Sequence, residues 1–154
     1  MRFWHFKSAL FLLLLLWNLG IFSEFLISRI SGLNSLLPFL SIGYSNVCHQ
    51  SAWKTIGSGA FHTLVCSRCS GIYAGALVLS LLAVFMRGRF FLTNTRLLAL
   101  MMLPLLADVI FYNSGLYNYS KTAAFLTGFL SGSGVFLYIL GAFFTMFNKS
   151  ENKG

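Results

Sequence analysis

Residues 70–86, SGIYAGALVLSLLAVFM, run seventeen positions without a charged side chain and stop at Arg87-Gly88-Arg89. A bilayer's hydrocarbon core, about 30 Å thick, is crossed by roughly 17–25 apolar residues in a helix. In lipid the backbone must satisfy its own N–H and C=O groups, and an α-helix does so within one segment. The stretch therefore reads as a membrane-spanning helix. Moving outward, three more stretches read the same way: residues 9–27, with leucines throughout 12–16; residues 97–112, with Pro104 expected to kink the helix; and residues 123–147. A long connection, residues 28–69, separates the first two spans. The predicted fold class is all-α, a polytopic membrane bundle of about four transmembrane helices with a long first extramembrane loop, forming one membrane domain over residues 1–154.

Composition agrees. The 154 residues are 57% hydrophobic, 17% aromatic and only 9% charged, against about 25% charged in an ordinary soluble domain. A soluble fold with so few charges would expose large apolar patches, so the expected partner is the lipid bilayer. The net charge of +8 would suggest nucleic acid in a soluble protein. Here the basic residues stand singly or in pairs between apolar runs, as topology determinants do, and no nucleic-acid partner is expected.

The N-terminus, with Arg2 and Lys7 before an apolar run, resembles a secretory signal. The apolar pattern, however, continues through Phe25, Leu26 and Ile27 without an A-x-A-like cleavage site, so an uncleaved first span is expected. Within the first loop, residues 36–42 are apolar but broken by Pro38 and too short to span, which suits an interfacial or re-entrant piece. Residues 113–121 form a polar, tyrosine-bearing loop, and residues 148–154 a polar tail. Arg2, Lys7, Arg87, Arg89, Arg96, Lys149 and Lys153 fall on one side; Arg29, Lys54, Arg68 and Lys121 fall on the other. By the positive-inside rule both termini are cytoplasmic, the first loop lies outside, and the protein sits in the plasma or inner membrane. Gly71 with Gly75, and Gly128 with Gly132, then Gly134 and Gly141, are small residues that let helices approach. They predict close packing of the second and fourth spans and offer faces for oligomerisation.

All three cysteines lie in or beside the first loop, as Cys48-His49-Gln50 and Cys66-Ser67-Arg68-Cys69. A Cys-x-x-Cys pair can aim two thiolates at one point, about 2.3 Å from a zinc ion. Cys48 or His49, and also His62, are candidates to complete the ligand set. Adjacent side chains diverge, so one of Cys48 and His49 would support the site rather than bind the ion. Zinc or another transition metal is the expected cofactor. Two other readings share the same residues. Cys-x-x-Cys is also the spacing of thiol–disulfide exchange, with Arg68 favouring a thiolate. An extracytoplasmic loop also permits a structural disulfide, such as Cys48 to Cys66, with one cysteine left over. His5 lacks a partner pattern and reads as interfacial.

Glu24, Asp108 and Glu151 are the only acids. A carboxylate within a span is expensive, so it faces a partner or a cavity. Glu24, Asp108, Arg68 and Cys69 all fall at the outer membrane surface. Asp108 is a site candidate or an ion-pair partner of Arg68 or Lys121; Glu24 pairs with Arg29 or reaches interfacial water. Tyr73 lies one turn beyond Cys69 on the same face, as packing or as part of the site. Lys54 is either a solvated loop residue or a contact for an anionic group. No nucleophile–base–acid arrangement, phosphate loop or carboxylate pair is present, so no enzyme class follows and the substrate, small molecule or ion, is unspecified.

Cys48-His49-Gln50, Lys54-Thr55 and the stretch Val65-Cys66-Ser67-Arg68-Cys69-Ser70-Gly71-Ile72-Tyr73-Ala74-Gly75 resemble the small prokaryotic membrane proteins of the family named domain of unknown function 2085. Its Cys-His-Gln, nearby Arg-Ser, and Cys-x-Arg-Cys-x-Gly-Ile-Tyr-x-Gly correspond to these residues. A later Asp and a Thr-Gly-x-x-x-Gly correspond to Asp108 and to Thr127-Gly128 through Gly132. Lys54-Thr55 departs from Arg-Ser, keeping the charge and hydroxyl but losing the bidentate fork. Ala124 stands where an arginine is expected. The resemblance implies a multi-span membrane protein with functional weight on Cys48, His49, Cys66, Arg68 and Cys69, and implies no activity. Three functions are expected on these grounds: a metal site serving hydrolysis, metal handling or structure; a membrane thiol–disulfide oxidoreductase using Cys66 and Cys69; or a small transporter or assembly subunit with structural cysteines.

Overall fold

The computed structural model describes residues 2–27, 34–58, 61–85 and 94–151. Loop residues 28–33, with Arg29, the segment 86–93, with Arg87 and Arg89, and the end of the tail, with Lys153, lie outside the described residues. The chain is an all-α bundle with four helices long and apolar enough to cross a membrane. In order the elements are α1 (Arg2–Ile21), the short α2 (Ser23–Ile27), α3 (Leu37–Ser45), a hairpin of β1 (Thr55–Ser58) and β2 (Phe61–Cys66), then α4 (Ser67–Phe85), α5 (Thr95–Asn113) and α6 (Lys121–Glu151), of which α1, α4, α5 and α6 carry the four spans.

The first spanning stretch is Trp4–Ile21, displaced towards the N-terminus from the expected 9–27. The helix takes in the charged start because Lys7 can reach a carbonyl: its Nζ donates to Ala83 O at 3.0 Å. It ends at Phe22, whose N–H bonds back to Asn18 O, and Phe25 N–H then bonds to Phe22 O in the turn opening α2. The apolar residues Phe25 and Ile27 thus belong to a separate short helix. The other three stretches, Ser67–Phe85, Thr95–Asn113 and Lys121–Met146, lie within a few residues of the expected spans.

Half of the α6 stretch is buried, against 6% of the α5 stretch, so α6 is the central helix. Leu12, Leu13, Leu16, Leu100, Leu103 and Leu106 are exposed, and hydrocarbon is the solvent that suits such faces. Glycines set the closest contact. A Cβ on Gly71 or Gly75 would overlap the carbonyl oxygens of Phe125 and Phe129; one on Gly128 or Gly132 would overlap those of Arg68 and Ile72. Both series advance together, so α4 and α6 run parallel with their main chains in contact, as small-residue spacing permits. These faces are therefore engaged within the chain. Helix α1 runs antiparallel to α4, with Lys7 at Ala83 and Asn18 Nδ2 donating to Tyr73 O at 3.2 Å. Helix α5 packs on α6.

Above this bundle sits the cap formed by the first loop. Helix α3, with Pro38 in its first turn, leans on the C-terminal end of α1. Tyr44 Oη donates to Trp17 O at 2.8 Å, with their rings 4.8 Å apart. Phe39 and Ile42 point outward, as in an amphipathic piece at the membrane surface. The hairpin pairs Thr55 with Cys66, Gly57 with His62 and Ser58 with Phe61, with an irregularity between Thr55 and Gly57. Thr63 Oγ1 accepts from Ile56 N–H and donates to Val65 O. Ile21, Tyr44, Leu64 and Val65 form a buried cluster against which Cys48, Cys69 and Tyr73 pack.

The glycine contact yields the first test. Gly132→Val drives a branched side chain into the Ile72 main chain, an overpacking that costs about 1–3 kcal/mol or more. The melting midpoint in detergent should fall by about 5 °C or more. Gly43→Ala, inside α3 and meeting nothing within 4 Å, should not lower it, since alanine is the better helix former.

Candidate functional site

Three chain segments meet at the N-terminal end of α4. The first carries Cys48. After α3, Cys48 N–H bonds to Tyr44 O at 3.0 Å, and Gln50 adopts φ 44°, a left-handed conformation uncommon for a residue with a Cβ. That turn is held by Gln50 Nε2 donating to Ser41 O at 2.9 Å. The chain reverses here, leaving Cys48 against the hairpin's end. Cys66 N–H donates to Cys48 Sγ at 3.2 Å.

The second and third sulfurs come from the junction of β2 and α4. Cys66 is the residue before α4 and takes the N-capping role, in which a side-chain acceptor satisfies free N–H groups of the first turn. Cys69 follows one turn later. The Sγ atoms of Cys48, Cys66 and Cys69 all lie within 4.8 Å of one another, each half-buried and each a free thiol. The Cys66 thiol is pushed down to about 5, chiefly by the hydrogen bond it receives from the Cys69 side chain. Backbone N–H groups of Cys69 and Arg68 and the Cys48 thiol add to this, against an opposing effect of burial. These hydrogen bonds favour the thiolate form of Cys66, as expected of a sulfur at a helix N-terminus.

Around the sulfurs is a polar ring. Arg68 Nη2 forms an ion pair with Asp108 Oδ2, and the Tyr117 hydroxyl donates to the other carboxylate oxygen. Of the two ion-pair partners expected for Asp108, the structure supplies Arg68. Asp108 is buried, at 5% side-chain exposure, so pairing from both oxygens offsets its desolvation. Lys54 ends a one-turn 3-10 helix, Ala52–Lys54, whose carbonyl accepts from Ser67 Oγ at 2.9 Å. Its ammonium is enclosed by the rings of Trp53, Tyr112 and Tyr119, at 4.6, 4.8 and 5.7 Å from their centroids. The Arg68 guanidinium lies 6.0 Å from the Tyr119 centroid. Burial, aided by the negative charge of Cys66, pushes the Tyr119 phenol up to about 12. It therefore stays protonated.

The remaining sequence candidates fall as follows. His49 is exposed and lies outside the group of three sulfurs. His62 is on β2 and also outside it; its backbone N–H donates to Glu24 Oε2 at 2.6 Å, which ties α2 to the hairpin. The contact with the His62 backbone was not expected for Glu24; its expected partner, Arg29, lies outside the described residues. Tyr73 packs under Cys69 and accepts at its carbonyl from Asn18. Sequence reasoning did not single out Trp53, Tyr112, Tyr117 or Tyr119. The tyrosine-rich loop at 113–121 was a signal for two of them; nothing local marks the convergence of the four.

The chain is similar over 108 residues to an uncharacterised protein of Methanocaldococcus jannaschii, at 33% identity over 69% of each chain. An uncharacterised protein of Methanothermobacter thermautotrophicus is 28% identical over 89 residues, 58% of this chain and 80% of that one. No solved structure matches the chain. The family model described as a predicted membrane protein, domain of unknown function 2085, matches residues 48–138, the segment that carries all three cysteines, Arg68 and Asp108. With four apolar helices and this match over more than half its length, the chain belongs to the predicted membrane protein family, domain of unknown function 2085.

Proposed function

We propose that this protein holds a transition-metal ion, zinc first among them, on the thiolates of Cys48, Cys66 and Cys69 at the extracytoplasmic membrane surface. The convergence of the three sulfurs to within 4.8 Å carries the reading. Thiolates 2.3 Å from a tetrahedral ion stand about 3.8 Å apart, so closing the set takes side-chain shifts of about an ångström or less. Soft sulfur donors suit zinc or copper(I) over magnesium or calcium. The cap on α4 favours the deprotonated form of one sulfur, which would ease binding at neutral pH.

Three protein ligands leave a fourth position. If His49 turns in to fill it, the site is closed and structural; if water fills it, the site is of the kind that activates a bound water or passes the ion on. Elemental analysis of purified protein should find one ion per chain, lost in Cys69→Ser. Retention of the ion in His49→Ala would mark the fourth position as open. Metal-free protein with intact thiols under reducing, metal-replete conditions would overturn the proposal.

A second reading is favoured by the lowered Cys66 thiol: thiol–disulfide exchange, with Cys66 as attacking thiolate and Cys69 as resolving thiol. Here the purified protein would lack metal and carry a Cys66–Cys69 disulfide that cycles with dithiothreitol. In metal-free, reduced protein, alkylation of Cys66 by iodoacetamide tracks its thiolate fraction. The rate should be level through neutral pH and fall by half as pH drops to about 5, well below the ordinary thiol value of 9.0. A rate still climbing between pH 7 and 9 would contradict the assignment of Cys66 as a thiolate.

The proposed orientation has both termini in the cytoplasm, supported by the excess of lysine and arginine on that side. A membrane-impermeant maleimide applied to intact cells should then label these cysteines. Labelling only after the inner face is opened would reverse the topology.

A further inference from the structure

The sulfur cluster is close enough to react with itself. The Sγ atoms of Cys48, Cys66 and Cys69 all lie within 4.8 Å of one another. An S–S bond is about 2.05 Å long, and a change of side-chain rotamer moves a sulfur by about 3 Å, so each of the three pairs stands within reach of closure. Cys66 and Cys69 are three residues apart at the junction of β2 and α4, and Cys48 Sγ already accepts from the Cys66 N–H at 3.2 Å. All three are free thiols and only half-buried, so each keeps a face open to a small solute.

The same three sulfurs are the whole of the ligand set. Among the described residues no histidine, aspartate or glutamate joins them. Joining any two sulfurs therefore withdraws two ligands in one event and leaves a single thiolate. One thiolate does not hold an ion that three would hold, because binding depends on several deprotonated ligands acting together. Zinc has no redox chemistry of its own, so any sensitivity to oxidants belongs to the sulfurs.

We propose that the site is redox-regulated: a small-molecule disulfide, RSSR, joins two of the three cysteines in an internal disulfide and so releases the ion. The switch rests on the metal reading of the site. One ligand thiolate attacks the S–S bond of RSSR, forming a mixed disulfide and expelling one RS⁻. A second ligand thiolate attacks the protein sulfur of that mixed disulfide and expels the other RS⁻. The cysteines give up two electrons, RSSR takes two, and the ion leaves with its charge unchanged. The third cysteine stays a thiol beside the new bond. Its attack on that bond only exchanges one pairing for another, so a dithiol reductant can restore all three thiols. Metal binding and thiol–disulfide exchange are then two states of one site.

The full chain in detergent, loaded with zinc under reducing conditions and washed, tests the switch with oxidised glutathione as the probe. Zinc content is measured before the oxidant is added. A chromophoric chelator then reads released zinc, and mass spectrometry after denaturation and alkylation counts the remaining thiols. One zinc should leave per internal disulfide formed, with alkylated cysteines falling from three to one. Dithiothreitol followed by zinc should restore full loading over repeated cycles. Zinc retained while the disulfide forms overturns the switch and leaves the metal reading standing. So does zinc retained over unreacted thiols, or zinc lost to glutathione adducts with no internal disulfide. A reduced chain that never loads zinc overturns the metal reading and the switch together, and no variant has to fold for any of these outcomes.

Discussion

Contact between the main chains of α4 and α6 organises the molecule. With glycine at positions 71, 75, 128 and 132, carbonyls of each helix occupy the space where the other would carry a Cβ. Lipid offers no hydrophobic force to press helices together, so close packing and the dispersion contacts it allows hold the pair. Because the helices run parallel, their N-termini arrive together at one membrane surface. Arg68 and Cys69 on α4 stand beside the loop that enters α6. Helix α5, antiparallel to both, brings Asp108 to the same level.

That meeting point gathers the scarce polar groups. Charges are costly in hydrocarbon and are kept where a partner or water is at hand. Asp108 is answered by Arg68 and Tyr117. The Lys54 ammonium is held by three aromatic faces, an arrangement in which the ring quadrupole replaces part of the lost hydration. Cys66 uses the free N–H groups of the α4 terminus to carry its negative charge. One set of helix ends thus supplies a thiolate, a paired guanidinium and a caged ammonium within a small volume. The proposed ion would draw on this concentration of polar groups, and the family match covers the segment that builds it.

The cap explains why so much chain precedes α4. Helix α3 and the hairpin bury Ile21, Tyr44, Leu64 and Val65 and so fasten Cys48 over the β2–α4 junction that carries the other two sulfurs. Glu24 contributes by accepting from the hairpin backbone at His62. The hairpin itself was not legible in advance. Its strands are four and six residues long, too short for alternation to stand out in so apolar a chain.

What was legible was local. Hydropathy summed over a span is indifferent to tertiary neighbours, so four crossing helices could be read directly, with ends shifted only where a residue such as Lys7 found a distant carbonyl. The Cys-x-x-Cys spacing places two sulfurs within one helical turn whatever surrounds them, and small residues at 71, 75, 128 and 132 mark helix approach for the same reason. The tertiary structure alone decided that Cys48, eighteen positions before Cys66, joins them, that Asp108 takes Arg68 as its partner, and that Trp53, Tyr112 and Tyr119 close around Lys54. Those pairings depend on how helices stack and which way a loop turns. They are contacts between segments far apart in the chain, where no periodicity in the sequence records the distance.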